Sequence, residues 1–60
     1  MDREKSMMEQ LLTAKQEMIR DYQMRADATD CAEVERMLKH FAEEEARQAS
    51  EMKELIRTLG

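Results

Sequence analysis

The sequence predicts an all-α protein, an antiparallel two-helix hairpin that dimerises into a four-helix bundle. Its 60 residues include no proline and one glycine, at position 60, and 40% are charged while only 3% are aromatic. This composition is typical of long helices and not of a sheet. Apolar residues recur with helical spacing, and that spacing breaks once, at residues 27–30. We therefore expect one helical hairpin domain over residues 1–60.

The first helix is predicted over about residues 3–26. At 100° per residue its apolar side chains fall on one stripe, as in an amphipathic helix. The stripe consists of Met8, Leu11, Leu12, Met18, Ile19, Tyr22 and Ala26. Lys15 occupies the middle of this stripe, where an apolar residue is expected.

The turn is predicted over about residues 27–30, where short polar residues that favour turns are clustered. Asp30 and Glu33 have the spacing of a capping pair, so Asp30 is expected to cap the second helix. That helix is predicted over about residues 31–59, with Gly60 as its C-terminal stop. Its stripe alternates steps of four and three and has a polar centre. The members are Val34, Leu38, Phe41, Glu45, Gln48, Met52, Leu55 and Leu59, with Ala42, Ala49 and Ile56 beside them.

The turn also predicts which residues of the two helices lie at the same level. In a hairpin that folds back near residue 30, residues whose numbers sum to about 60 face each other. Lys15 therefore lies opposite Glu45, and these two residues with Gln48 are expected to form a polar layer in the core. In the alternative, Lys15 extends out of the seam into solvent. The same register pairs Tyr22 with Leu38, Ile19 with Phe41, and Met8 with Met52.

A chain of this size predicts self-association. A single core of 60 residues rarely supplies more than about 3–5 kcal/mol, and one cysteine cannot form an internal disulfide. We expect the apolar stripes to be buried against a second copy, as a homodimer or a larger homo-oligomer. The alternative is that the partner is a different protein, because an amphipathic, methionine-containing seam also suits a module that docks a helix of another protein.

Several function classes are not expected from this sequence. The net charge is −4 and basic residues form no stripe, which disfavours nucleic acid as a partner. No stretch is apolar enough to span a membrane, and residues 1–5 lack the apolar core of a signal peptide, so a cytoplasmic location is expected. Cys31 is expected to be a free, exposed thiol at the turn. There is no nucleophile and base pair, no glycine-rich loop and no core histidine, so we expect no enzyme, no catalytic residue and no cofactor. His40 is expected at the surface beside Glu44.

Two segments carry a resemblance to a known family. Residues 41–49, FAEEEARQA, with the charged residues that follow to Leu55, resemble the second metal-binding helix of the rubrerythrin branch of the ferritin-like superfamily. In that helix an acidic cluster leads into a Glu-x-x-His ligand pair. Residues 11–22 are similar to the partner helix, which carries a glutamate ligand seven residues before an aromatic residue. Together the two segments cover about residues 11–55.

The resemblance implies a ferritin-like half-bundle with an altered metal site. Glu45 matches a ligand, whereas Lys15 stands at the position of the first helix's glutamate and Gln48 at that of the histidine. A di-iron site of this type needs the full carboxylate and histidine set. The metal site is therefore expected to be lost, with Glu45 as a vestigial ligand, and the protein to be a non-catalytic, self-associating structural or scaffold unit. The alternative is iron or other metal binding by a rubrerythrin-like carboxylate site.

Overall fold

The computed structural model describes residues 2–60, which form two helices, α1 (Asp2–Ala28) and α2 (Ala32–Leu59). The helices pack antiparallel as a hairpin with Cα extents of 46 × 14 × 10 Å. Residues 2–60 contain no strand, so the prediction of an all-α hairpin is confirmed. Neither of the two helices has a stretch that is long and apolar enough to cross a lipid bilayer.

The turn is shorter than predicted and lies slightly later in the sequence. Asp27 and Ala28 belong to α1 and not to the turn. The reason is that the backbone N–H of Thr29 still donates to the carbonyl of Arg25, at 3.1 Å, which continues the helical hydrogen bonds to the end of α1. Residues 29–31 alone connect the helices.

The prediction that Asp30 caps α2 is wrong. Cys31 is the N-cap residue, with extended backbone angles of φ −91° and ψ 114°, and its carbonyl accepts from the N–H of Glu35 at 2.9 Å. Asp30 therefore lies one residue outside the capping position. No side chain caps α2, but the hydroxyl of Thr29 accepts from the N–H of Cys31 at 3.2 Å and fixes the turn. Gly60 is the C-cap of α2, as predicted.

The contact between the helices follows the pattern of an antiparallel coiled coil. One series of buried and half-buried positions recurs in alternating steps of three and four on each helix, and Gln16, Asp21, Phe41 and Glu44 are half-buried outside it. On α1 the series consists of Lys5, Met8, Leu12, Lys15, Ile19, Tyr22 and Ala26. On α2 the series consists of Glu35, Leu38, Ala42, Glu45, Ala49, Met52, Ile56 and Leu59. We call these positions the seam.

Small side chains occupy the most tightly packed points of the seam. Among residues 2–60 only Ala26, Ala42 and Ala49 are buried, with 1%, 5% and 5% of their surface exposed. No large side chain of the described residues is fully buried. Alanine lets the two backbones approach closely but removes little apolar surface from water. The hairpin alone therefore has a thin core.

The close approach of the helices predicts that a larger residue is not tolerated at the centre of the seam. Replacing Ala42→Leu should cost about 1–3 kcal/mol of unfolding free energy, because the helices must separate to admit the side chain. Ala46→Leu is the matched control, since Ala46 lies one turn further along α2 and is exposed; it should change stability by less than about 0.5 kcal/mol. Urea unfolding at one protein concentration measures both values. Equal losses in the two variants would show that Ala42 is not tightly packed.

Candidate functional site

Large apolar side chains that the seam does not cover are gathered on one long side of the hairpin. Seven such side chains are exposed among residues 2–60. At 100° per residue, six of them lie about 40–110° from the centre of their own helix's seam, all in the same rotational sense. In an antiparallel pair these positions face the same side. The six are Met7, Leu11, Met18, Val34, Met37 and Leu55. We call this surface the apolar side; Met24 lies outside it.

A groove runs along the apolar side where the two helices meet. Its volume is about 280 Å³, and Leu11, Ala14, Lys15, Met18, Glu45 and Met52 line it. Towards the turn the groove gives way to two half-buried rings, Tyr22 and Phe41, whose centroids are 5.7 Å apart with an interplanar angle of 51°. Tyr22 thus packs on Phe41. The register predicts Leu38 opposite Tyr22, and Phe41 lies one turn further along α2. The aromatic pair extends the apolar side towards the turn.

A polar layer interrupts the apolar side. The ammonium of Lys15 donates to Oε1 of Glu45 at 3.1 Å and to Oε1 of Gln48 at 2.6 Å. The side chains of Lys15 and Glu45 are 28% and 25% exposed, whereas Gln48 is exposed. The structure therefore brings together the three residues that the register predicts, and Lys15 stays in the seam instead of extending into solvent. Partial burial increases the Coulomb attraction between the two charges and also the cost of removing them from water.

The polar layer lies halfway along the hairpin. Lys15 is the middle residue of α1, and Glu45 lies at the middle of α2. Apolar side chains flank the layer in both directions, towards the turn and towards the open end. Any helical partner that covers the apolar side must therefore also cover Lys15, Glu45 and Gln48.

The opposite side of the hairpin has a different character. An open groove of about 340 Å³ lies there, lined by Ile19, Gln23, Lys39, Ala42, Glu43 and Ala46. Lys39 pairs with Glu35 at 2.9 Å along α2, and this hydrogen bond and the charge of Glu35 raise the pKa of Lys39. The charged and amide side chains that line this groove, Gln23, Lys39 and Glu43, are exposed to solvent. We call this surface the polar side.

The predicted stripe residues divide between the seam and the apolar side. Seven lie half-buried in the seam: Met8, Leu12, Ile19, Tyr22, Leu38, Met52 and Leu59. Four others are 41–49% exposed and belong to the apolar side: Leu11, Met18, Val34 and Leu55. Sequence reasoning missed this division because two series of apolar residues, displaced by one position, were combined into a single stripe. The signal was present in Ala42, Ala49 and Ile56, which repeat every seven residues beside that stripe.

Two further residues singled out in the sequence lie at the surface. His40 faces Glu44 at 3.5 Å, with side chains 61% and 44% exposed. Cys31 is a free, exposed thiol at the turn. Neither contacts the polar layer, so neither enlarges it.

The polar layer does not fit the metal site that the rubrerythrin-like resemblance implies. Within residues 2–60 no three His, Cys, Asp or Glu side chains lie close enough together to hold a metal ion. The ammonium of Lys15 lies against the Glu45 carboxylate, where a ligand set would place the cation. The amide of Gln48 is also a poor substitute for an imidazole ligand.

Comparison of the chain with protein-family models, with curated proteins and with solved structures found no match. The physical properties of the apolar side and of the polar layer are therefore what support a function.

The partly buried ion pair predicts that its two members depend on each other. Lys15→Leu should cost about 1–3 kcal/mol, because the Glu45 carboxylate loses its partner while it stays partly covered. Lys15→Leu combined with Glu45→Leu should be neutral or stabilising, since no charge is then stranded.

The exposed pair of Arg25 and Asp21, joined at 3.0 Å, is the matched control for this experiment. Arg25→Leu should cost at most about 0.5 kcal/mol. Urea unfolding measures these variants, and together with the single variant Glu45→Leu it completes a double-mutant cycle for Lys15 and Glu45. If the double variant loses as much as the sum of the two single variants, Lys15 and Glu45 are not coupled.

Proposed function

We propose that this protein is a non-catalytic structural or scaffold unit in which two hairpins associate through their apolar sides into a four-helix bundle. The observation that carries the proposal is the placement of six of the seven exposed large apolar side chains of residues 2–60 on one side. Exposed apolar side chains gathered on one side, with polar groups among them, are typical of an interaction site. The polar side provides the solvent-facing surface of the assembly.

Energetics support a covered apolar side. Full burial of a leucine, valine or methionine side chain contributes about 1.5–3 kcal/mol relative to exposure. The seam fully buries only alanines, and the six large side chains of the apolar side are 41–53% exposed in the single hairpin. The Cα outline of one long face, 46 × 14 Å, is of the same order as the roughly 800 Å² that a stable interface buries on each partner.

Charge and the free thiol support the remaining parts of the proposal. A net charge of −4 with interspersed lysine and arginine suits a soluble assembly that does not bind nucleic acid. A reduced Cys31 at the turn suits a reducing compartment, and we place the protein in the cytoplasm.

The polar layer supports a second proposal, that the hairpin is a ferritin-like half-bundle whose metal site has been lost. Three positions that the resemblance assigns to metal ligands, now Lys15, Glu45 and Gln48, meet within hydrogen-bonding distance. A lysine ammonium supplies one positive charge beside Glu45 and removes the need for a cation there. The competing proposal is a working iron or other metal site built from Glu45 of two copies and neighbouring carboxylates.

Self-association predicts that a polar group on the apolar side weakens the assembly. Leu11→Gln and Leu55→Gln should each shift the dimer dissociation constant upward at least tenfold, because an amide would be buried against apolar groups. Met24→Gln is the matched control, since Met24 is 70% exposed and lies outside the apolar side. Sedimentation equilibrium measures the mass of each variant as a function of concentration.

The unmodified chain should sediment at twice its mass of 7.1 kDa, and its melting temperature should rise with concentration. A mass of one chain with a concentration-independent melt would contradict self-association. Tight binding of an unrelated amphipathic helix to such a monomer would support the alternative, a helix-docking interaction module.

The ferritin-like proposal predicts that metal binding returns when the ligands are restored. Lys15→Glu with Gln48→His supplies, from two copies, four glutamates and two histidines, which is the set that a di-iron carboxylate site requires. The double variant should bind iron or zinc in elemental analysis, whereas Lys15→Gln with Gln48→His should bind far less. A double variant that keeps the same assembly and binds neither metal would count against ferritin-like ancestry. Stoichiometric metal in the unmodified protein would show that Lys15 is not the substitute cation.

A further inference from the structure

We propose that the two copies associate with their turns at the same end of the bundle, because that orientation places each Lys15 across from Glu45 of the second copy. The inference rests on the proposed self-association and adds the chemistry by which one copy recognises the other. The polar layer is then the element that selects the partner, and the apolar side supplies the affinity.

Two symmetric arrangements can join the apolar sides of two hairpins. A two-fold axis parallel to the helices keeps both turns at one end and sets α1 of each copy against α2 of the other. A two-fold axis perpendicular to the helices puts the turns at opposite ends and sets α1 against α1 and α2 against α2. Both arrangements are closed dimers in which the same surface of each copy is used.

The mid-length position of the polar layer means that overlap of the layers does not distinguish the two arrangements. Lys15 is the middle residue of α1 and Glu45 lies at the middle of α2, so the layers of the two copies meet in both. The order of charges does distinguish them. With the turns together, positive and negative groups alternate around the four helices, and each ammonium has two carboxylate neighbours. With the turns apart, ammonium faces ammonium and carboxylate faces carboxylate in a partly desolvated layer, which is unfavourable.

Hydrogen-bonding capacity points to a second copy as the occupant of the apolar side. Within residues 2–60, Oε2 of Glu45 accepts no hydrogen bond and the amide nitrogen of Gln48 donates none. Lys15 has three N–H donors and uses two of them within its own hairpin. A second copy with alternating charges offers a carboxylate to the third donor. An apolar helix from another protein would bury these groups without partners, at a cost in affinity.

The experiment uses a variant with the ion pair reversed, Lys15→Glu with Glu45→Lys, which keeps one positive and one negative group in each hairpin. It is mixed with isotope-labelled unmodified chain, and native mass spectrometry counts the two homodimers and the mixed dimer. With the turns together, a mixed dimer sets like charges across the interface, so its share should fall at least about tenfold below the one half expected for random exchange. Labelled and unlabelled unmodified chains, mixed in the same way, should give one half. A mixed dimer in excess of one half would overturn the orientation and leave self-association intact.

The single cysteine gives a second measurement that needs no change in the layer. Cys31 is exposed at the turn, so a nitroxide attached to it reports the distance between the two turns of a dimer. Turns at the same end should give a distance below about 25 Å, since the four helices are spaced by about 10 Å. Turns at opposite ends would give about 40 Å or more, because the hairpin is 46 Å long, and would overturn the inference. A sample with no dimer in either measurement would refute the proposed self-association itself, and this inference with it.

Discussion

Two helices alone cover only one narrow stripe of each other, and in this protein alanine fills the tightest points of that stripe. Ala26, Ala42 and Ala49 let the backbones of α1 and α2 approach, and this close contact fixes the relative rotation of the helices. Once that rotation is fixed, the larger apolar residues beside the seam must lie on one side of the hairpin or on the other. The sequence places them on the same side of both helices. The thin core and the apolar side therefore both result from the packing of alanines between α1 and α2.

The polar layer has a different energetic role from the apolar side. Burial of apolar surface supplies affinity without direction, whereas a partly buried ion pair contributes little net stability and much discrimination between partners. Lys15 and Glu45 lie at mid-length, which is the one level that two symmetric copies share however they are turned. With a polar group at that level, the affinity for a partner depends on which charged groups the partner places opposite it, and so on the partner's identity and orientation. In the proposed dimer, the apolar residues on either side would exclude water from that point.

The parts of the fold that could be predicted from the sequence are those that depend on one helix at a time or on chain length. Helical periodicity located both helices, and the shortness of the turn fixed which residues share a level, so Lys15 was correctly placed beside Glu45. The N-cap was missed because the candidates Asp30 and Cys31 are neighbours in the sequence. The first hydrogen bond of α2, from the N–H of Glu35 to the carbonyl of Cys31, makes Cys31 the N-cap, and composition does not reveal that bond. The rotation of α2 about its axis was missed for a related reason. Consecutive residues differ by 100° around a helix, so an error of one position placed Gln48 at the seam, where the structure has Ala49.

That shift of one position also determines which side chains of α2 the hairpin leaves exposed. If the series containing Gln48 and Leu55 had faced α1, the hairpin would have buried its large side chains internally and left a small, mixed surface outside. Because the alanine series faces α1 instead, Val34, Leu55 and the amide of Gln48 are exposed, whereas Leu38 and Met52, which belong to both series, stay half-buried in the seam. A sequence selected for the stability of a lone hairpin is expected to place large residues inward. The observed arrangement leaves the large side chains of the apolar side without internal packing, and a further helical surface over them would supply it, which is the physical reason for proposing that this hairpin is one half of an assembly.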